Sequence, residues 1–525
     1  MRHIFYTVSV LALIAVWLLS HSWPPFLWAY ALVLPLILLG IHDSLQTRRA
    51  VLRNFPILGH GRYLLELIRP EINQYFIESN TDGAPFNREM RGVVYQRAKG
   101  AVDTLPFGTQ KDVYAQGYEW INHSLRAHSG PQETPRTLVG ETTCEQPYSA
   151  ALLNISAMSF GALSSHAVEA LSRAAKRGCF AHNTGEGSIS AHHLAGGGDL
   201  IWQIGTGYFG CRDEQGNFSP KLFEENARLP SVKMIEVKLS QGAKPGHGGI
   251  LPAAKVTAEI AEIRHVPLGQ DVLSPPSHSA FSTPLELLEF LDALRLLSGG
   301  KPVGFKLCLG SRSEFLGLCH AMSETGMHPD FIAVDGGEGG TGAAPLEFSN
   351  SVGTPLTEAL AFVHNALSGF RLRDSIKIFA SGKIITGFHM ARCFALGADL
   401  CYSARGMMLA LGCIQARRCN TGECPVGVAT QVPGLVAGLD VTDKAERVWR
   451  FQRETVESLL QILGAAGLDG PEELEPRHIM RRVDPLRVLS YDEIFQFIEP
   501  GSLLCQPVPE EFEADWLRAR SDAFV

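Results

Sequence analysis

The stretch Phe331-Ile-Ala-Val-Asp335-Gly-Gly-Glu-Gly-Gly-Thr-Gly342 decides the fold class. Four apolar residues run into an aspartate and then into a glycine-rich loop. A short, continuous apolar run closed by glycines reads as a strand buried on both faces, which is the signature of a parallel sheet. Glycines after such a strand let backbone N–H groups approach an anion closely.

The same unit recurs on either side. Strand candidates are Leu152–Ala157, Cys179–His182, Met234–Leu239, Asp271–Leu273, Pro302–Cys308, Ile376–Ala380 and Leu400–Tyr402. Amphipathic stretches such as Ser165–Lys176, Pro284–Leu297, Ser313–Glu324 and Thr386–Leu396 follow most of them. Eight strands alternating with helices over about 250 residues predict an α/β protein built on a (β/α)8 TIM barrel. A doubly wound open sheet is the rival, and it lacks a dinucleotide fingerprint after the first strand.

Barrel chemistry sits at the C-terminal ends of the strands. Two later strands end in Ser381-Gly382-Lys383 and Ser403-Ala404-Arg405-Gly406. With the Gly336–Gly342 loop they predict a site for a phosphate-bearing cofactor or substrate; the rival reading is three glycine turns without function. The first strand ends in Ser156-Ala157-Met158-Ser159, small residues that suit a flat ring across the barrel mouth. Lys306 lies inside an apolar strand. It either faces the N1–O2 edge of a flavin or is salt-bridged within the barrel. Lys238 and Lys244 flank a glycine loop suited to a dianionic substrate, and Arg264 on the next helix can clamp a carboxylate. Glu186 orients an amine, pairs with a lysine or lies solvated.

Cys413, Cys419 and Cys424 form C-x5-C-x4-C followed by Pro425. In a reducing compartment this spacing predicts metal ligation, with an iron–sulfur cluster ahead of zinc and of free thiols. Three ligands without a fourth suit a three-iron cluster, since structural zinc takes four.

The N-terminus differs in kind. Ile4–Leu19 and Phe26–Ile41 are apolar runs separated by His21-Ser22-Trp23-Pro24-Pro25. They predict a transmembrane helical hairpin over 1–45, against a signal peptide or a buried core hairpin. Arg2 precedes the first run, and Arg48, Arg49 and Arg53 follow the second. Both ends are therefore expected in the cytoplasm, with the catalytic domain on the cytoplasmic face of the inner membrane. An accessory region over 46–140, the barrel with its cysteine loop over 141–440 and a helical extension over 441–525 complete the expected organisation.

Composition narrows the class. Hydrophobic residues make up 45% and charged residues 19% of 525, which excludes a disordered chain. The net charge of −8, with no dense Lys/Arg stripe, argues against nucleic-acid binding.

The motifs Asn183–Gly187, Gln241-Gly-Ala-Lys-Pro-Gly with Gly248-Gly249, Ser274-Pro-Pro, Gly339-Gly-Thr-Gly-Ala, and Leu411-Gly-Cys through Cys424-Pro-Val-Gly-Val-Ala-Thr-Gln431 closely resemble the FMN-binding domain of the glutamate synthase large subunit. The match covers roughly 140–460, in the same order. This resemblance implies FMN beside a 3Fe-4S cluster on Cys413, Cys419 and Cys424, and reduction of 2-iminoglutarate, formed from 2-oxoglutarate and ammonia, to L-glutamate. It implies that Ser156, Ala157, Met158, Ser159, Gln203 and Lys306 contact the flavin ring or ribityl chain, and that Gly339, Gly340, Thr341, Ser381, Gly382 and Lys383 bind its phosphate. Lys238, Lys244, Arg264 and Glu186 fall in the substrate site.

Against that pattern, His247 stands where the family tends to have an acidic residue, and Ile250 replaces a usual polar one. No glutaminase or β-helix domain is expected here, so ammonia comes free or from a partner. Without a nicotinamide motif, the electron donor is expected to be ferredoxin or a separate NAD(P)H subunit. A homo-oligomer is left open. Two other functions compete: an FMN-dependent 2-hydroxy-acid or amino-acid dehydrogenase feeding the membrane quinone pool, with His247 or His278 as base, and a flavin/iron–sulfur redox module without turnover.

Overall fold

The computed structural model describes residues 1–525 as two compact units, Met1–Glu89 and Met90–Val525. The first unit opens with helices α1 (Arg2–Ser22) and α2 (Tyr30–Leu45), joined through a 3-10 turn over Pro24–Ala29. Arg2–Ser22 and Pro24–Leu45 are long and apolar enough to cross a membrane, with little of either buried in the protein. They pack antiparallel: the Tyr30 hydroxyl donates to the Leu13 carbonyl, and Gly40 meets the Phe5 ring so closely that a Cβ there would clash.

The second unit is a closed eight-stranded parallel barrel. Its strands are β1 (Leu153–Ile155), β2 (His182–Asn183), β3 (Leu200–Ile204), β4 (Val232–Lys238), β5 (Val303–Leu307), β6 (Phe331–Asp335), β7 (Lys377–Ser381) and β8 (Leu400–Ser403). β8 closes onto β1 through Cys401 opposite Leu153. Nearly every strand residue is buried, as the apolar runs predict.

The expected count of eight holds, but one member changes. Leu200–Ile204, absent from the sequence-based set, is the third barrel strand. Val272–Leu273 lies outside the barrel, in an antiparallel pair with Ile250–Leu251. An extended apolar pair on an excursion carries the same local signal as a barrel strand, and only its partner distinguishes them.

Helices α3 (Ser165–Gly178), α4 (Pro284–Leu297), α5 (Arg312–Thr325), α6 (Leu356–Gly369) and α7 (Gly387–Ala395) surround the barrel. Ser164, Thr283 and Thr386 each accept a backbone N–H at the N-cap of their helix. The long helix α8 (Val441–Ala466) packs across α3 and α7. Beyond it the chain is not purely helical: Ile479–Arg482 and Val488–Ser490 form a small antiparallel sheet with Glu119–Ile121.

An antiparallel pair, Arg136–Val139 with Tyr148–Ala151, seals the N-terminal end of the barrel. Val139 and Tyr148 share a core cluster with Phe331, Phe379 and Leu400, residues from the early parts of β6, β7 and β8. The Phe331 and Phe379 rings stack at 4.4 Å. That end of the barrel is thereby filled by apolar side chains.

Candidate active site at the C-terminal mouth of the barrel

A cavity opens over the strand ends, lined by Ala157, Met158 and Ser159 after β1, Glu186 after β2, Gln203 on β3, Lys238 on β4 and Lys306 on β5. Lys244, Arg264, Gly340, Thr341, Arg405 and Cys419 complete the wall from the loops. The topology thus brings most of the sequence-predicted residues together. Ser156, Gly339, Ser381, Gly382 and Lys383 stand on the same strand-end loops outside the cavity wall, with Ser156 Oγ 3.5 Å from Ser381 Oγ.

On one side Lys238 Nζ lies 3.1 Å from Glu186 Oε1, and both side chains are largely buried. Burial pushes the Glu186 carboxyl up, but the charges of Lys238, Lys244 and Arg264 outweigh it and hold it below the usual glutamate value. Burial, with Lys238 close by, pulls the Lys244 ammonium down to about 8. Burial likewise pulls Arg264 down to about 10. Its Nη2 donates to the Phe160 carbonyl at 2.8 Å, while its Nε has no hydrogen-bond partner. Three cations therefore share one carboxylate in a partly dry pocket, an arrangement that calls for an anionic ligand.

On the other side the cations Lys306, Lys383 and Arg405 have two carboxylates of their own, Asp335 and Glu338. Lys306 Nζ lies 3.3 Å from Asp335 Oδ2, which also accepts the Gly242 N–H at 2.9 Å. Lys306 is thus salt-bridged within the barrel and also lines the cavity. Arg405 donates to the Glu338 carbonyl at 2.7 Å, and Asp335 and Glu338 oppose the effect of its burial. Gly340 presses against the Arg405 guanidinium, where a Cβ would stand 2.5 Å from Nε. Ala157, Met158 and Ser159 along one wall, Lys306 in the same cavity and a glycine loop against an arginine fit a flavin mononucleotide.

Sequence reasoning missed Glu236, which lies within the barrel. It accepts from Asn183 at 2.8 Å, Gln203 at 2.6 Å and Tyr402 at 3.2 Å. Burial raises its carboxyl above the usual value, and Lys306 and these donors oppose the rise. Gln203, expected at the flavin, spends its amide N–H on this carboxylate.

Neither histidine candidate presents a free base to the cavity wall. His278 is buried between the Tyr208 hydroxyl at 3.1 Å and the Lys238 carbonyl at 2.9 Å, and burial lowers it to about 4. His247 sits against the Gly248 carbonyl and the Phe348 ring.

Cys413, Cys419 and Cys424 follow the helix Arg405–Leu411 and are all reduced. Burial raises Cys413 to about 11, with the charges of Cys419 and Cys424 adding to it, so the thiols sense one another. Lys255 Nζ donates to the Cys419 carbonyl at 2.6 Å. The donor chemistry fits iron–sulfur ligation, although no three His, Cys, Asp or Glu side chains are gathered so as to hold a metal ion.

The conserved region in glutamate synthase matches residues 121–469. The chain belongs to the glutamate synthase family. It is 37% identical over 512 residues to the glutamate synthase large subunit-like protein YerD of Bacillus subtilis, covering 89% of this chain and 97% of that one. It is 36% identical over 321 residues to an archaeal glutamate synthase [NADPH] of Methanocaldococcus jannaschii, covering 61% of this chain and 60% of that relative. Among solved structures, mandelate oxidase with (S)-4-hydroxymandelic acid aligns with a TM-score of 0.46 at 15% identity, over 75% of this chain and 99% of that one. Membership of the glutamate synthase family supports an FMN-binding oxidoreductase.

Proposed function

We propose that this chain is a membrane-anchored FMN oxidoreductase that reduces 2-iminoglutarate, formed from 2-oxoglutarate and ammonia, or a closely related 2-imino or 2-oxo dicarboxylic acid. Cys413, Cys419 and Cys424 would hold a 3Fe-4S cluster, with ferredoxin or a separate NAD(P)H subunit as the electron donor. Ammonia comes free or from a partner. The observation that carries the reading is the surplus of Lys238, Lys244 and Arg264 over Glu186 at the mouth of a glutamate synthase family barrel.

When bound, FMN supplies two-electron chemistry at the ring and the cluster supplies one-electron transfer. The rest falls to this chain's own residues. Ala157 to Ser159, with Gln203 and Lys306, form the floor and edge for the ring. Gly339 to Thr341 and Ser381 to Lys383, with Arg405 beside them, provide backbone and cationic groups for its phosphate. Arg264 and Lys244 bind carboxylate oxygens and fix the substrate's orientation. Glu186, held ionised by Lys238, accepts the N–H of an imine or ammonium and can exchange a proton at that nitrogen. Met158, Ile250 and Leu251 bring apolar surface to the cavity and help exclude water.

The test is an anaerobic absorption spectrum with iron analysis of the detergent-purified chain, followed by substrate addition to the reduced sample. Flavin bands, about three irons per chain and reoxidation by 2-oxoglutarate with ammonium are expected. Lys238→Ala should abolish that reoxidation while retaining flavin. Flavin and iron without reoxidation would overturn the reaction and leave the cofactors; no flavin would overturn both.

A further inference from the structure

Between the apolar hairpin and the barrel unit lies a helix whose surface is unusual. Leu58–Ile72 is followed by one π turn, Asn73–Ile77. Leu58, Leu65, Ile68 and Ile72 recur at helical spacing, and Leu64 and Tyr75 widen the same stripe. In a soluble protein this stripe would face a core. Here it is bare: Leu65 is 62% exposed and Phe76 84%.

Three observations identify what covers it. The first is position. Asp43, at the end of α2, accepts the Ile57 N–H at 3.0 Å and the His60 Nε2–H at 2.9 Å. These bonds tie the start of the helix to the end of the candidate membrane span. The Arg49 guanidinium stands 4.7 Å over the Tyr63 ring and adds a second tie. The second is charge. Residues 46–57, which lead into the helix, hold Arg48, Arg49 and Arg53 with no acidic residue, in a chain whose net charge is −8; within the helix Arg69 adds to them while Arg62 pairs with Glu66 at 2.8 Å. The third is pattern. Arg62 and Arg69 flank the apolar stripe, as on helices that lie in a bilayer interface.

We propose that Leu58–Ile77 lies in the headgroup region of the cytoplasmic leaflet, apolar face down, with anionic lipid as its partner. This rests on the membrane reading of the hairpin and goes beyond it. The hairpin sets the chain on the membrane, and this helix holds a second length of chain flat against the leaflet. The arginines meet lipid phosphates, and the stripe from Leu58 to Phe76 enters the upper acyl region.

The test is amide hydrogen exchange, read by mass spectrometry, on the full chain in nanodiscs that hold one chain each. Residues 58–77 should exchange at least about tenfold more slowly than in L64E/L65E/I68E, and more slowly still when phosphatidylglycerol is added to phosphatidylcholine. Replacing Arg48, Arg53 and Arg69 together by Gln should keep the protection and weaken its dependence on lipid charge. Equal rates in the wild type and L64E/L65E/I68E would overturn the proposal. So would protection found only in discs holding two chains, which would assign the face to a second copy. Amides 4–40 report separately: fast exchange there in lipid would remove the membrane reading itself.

Discussion

Gly242 is the point at which the two halves of the site touch, and a single methyl group tests that contact. A Cβ on residue 242 would stand 1.7 Å from the Gly336 carbonyl oxygen. Both groups are backbone, so no side chain can rotate away. The loops after β4 and β6 must part by about 1.3 Å to reach even the 3.0 Å limit of real Cβ contacts. The Gly242 N–H holds Asp335 Oδ2, the atom that pairs with Lys306, and Lys244 follows two residues later. A displacement of this size therefore moves Lys306 and Lys244 together, the lysines proposed for the flavin edge and for the substrate. Misplacement by about 1 Å costs on the order of 10²-fold in rate, which is about 2.7 kcal/mol of transition-state stabilisation. Folding should lose only ~1–3 kcal/mol, the usual cost of overpacking. Gly310→Ala is the control, because a Cβ there meets nothing within 4 Å. The assay is kcat/KM for 2-oxoglutarate with ammonium, alongside flavin content and a thermal melt. Wild-type kcat/KM and full flavin in Gly242→Ala would refute the reasoning, since the two loops would then be free to separate without consequence.

Other outcomes follow from the same geometry. The Lys244 ammonium, pulled down to about 8, is charged below that pH and lost above it. KM for the dicarboxylate should therefore rise about tenfold per pH unit above 8, and Lys244→Arg, which keeps its charge, should remove the inflection. Glu236→Leu strands the Asn183, Gln203 and Tyr402 donors inside the barrel and should cost roughly 3 kcal/mol or more in denaturant unfolding. Cys419→Ser should lower the iron content below about one per chain while flavin binding persists.

The barrel was legible because its strands are buried on both faces, so each appears locally as an unbroken apolar run. Leu200-Ile-Trp-Gln-Ile204 escaped notice because its crossover has no helix of normal length. A five-residue helix, Ala191–Ala195, runs straight into Gly196-Gly197-Gly198, and the expected strand–helix period collapses. The site was legible where a charged residue ended an apolar run, as at Lys238. Glu236 was not, because it sits within such a run and its three donors come from three other strands. No local pattern marks a carboxylate whose partners lie 33 to 166 residues away. The exposed stripe after α2 was hidden for the opposite reason: its spacing is that of an ordinary core-facing helix, and only measured exposure separates the two.

What sequence could not supply at all is the division of charge across the mouth. Read singly, Lys238, Lys244, Arg264, Lys306, Lys383 and Arg405 are six cations near strand ends. In space they separate. Asp335 pairs with Lys306, and Asp335 and Glu338 favour the charged form of Arg405, with Glu338 also favouring that of Lys383, so two carboxylates answer three cations at that end. Glu186 alone answers Lys238, Lys244 and Arg264. A buried charge left without a partner is costly, and two remain there. A monocarboxylate would settle one of them, whereas a dicarboxylate settles both. Two such contacts would fix the carbon next to one carboxylate, which is the carbon that the proposed 2-oxo or 2-imino diacid would offer for reduction.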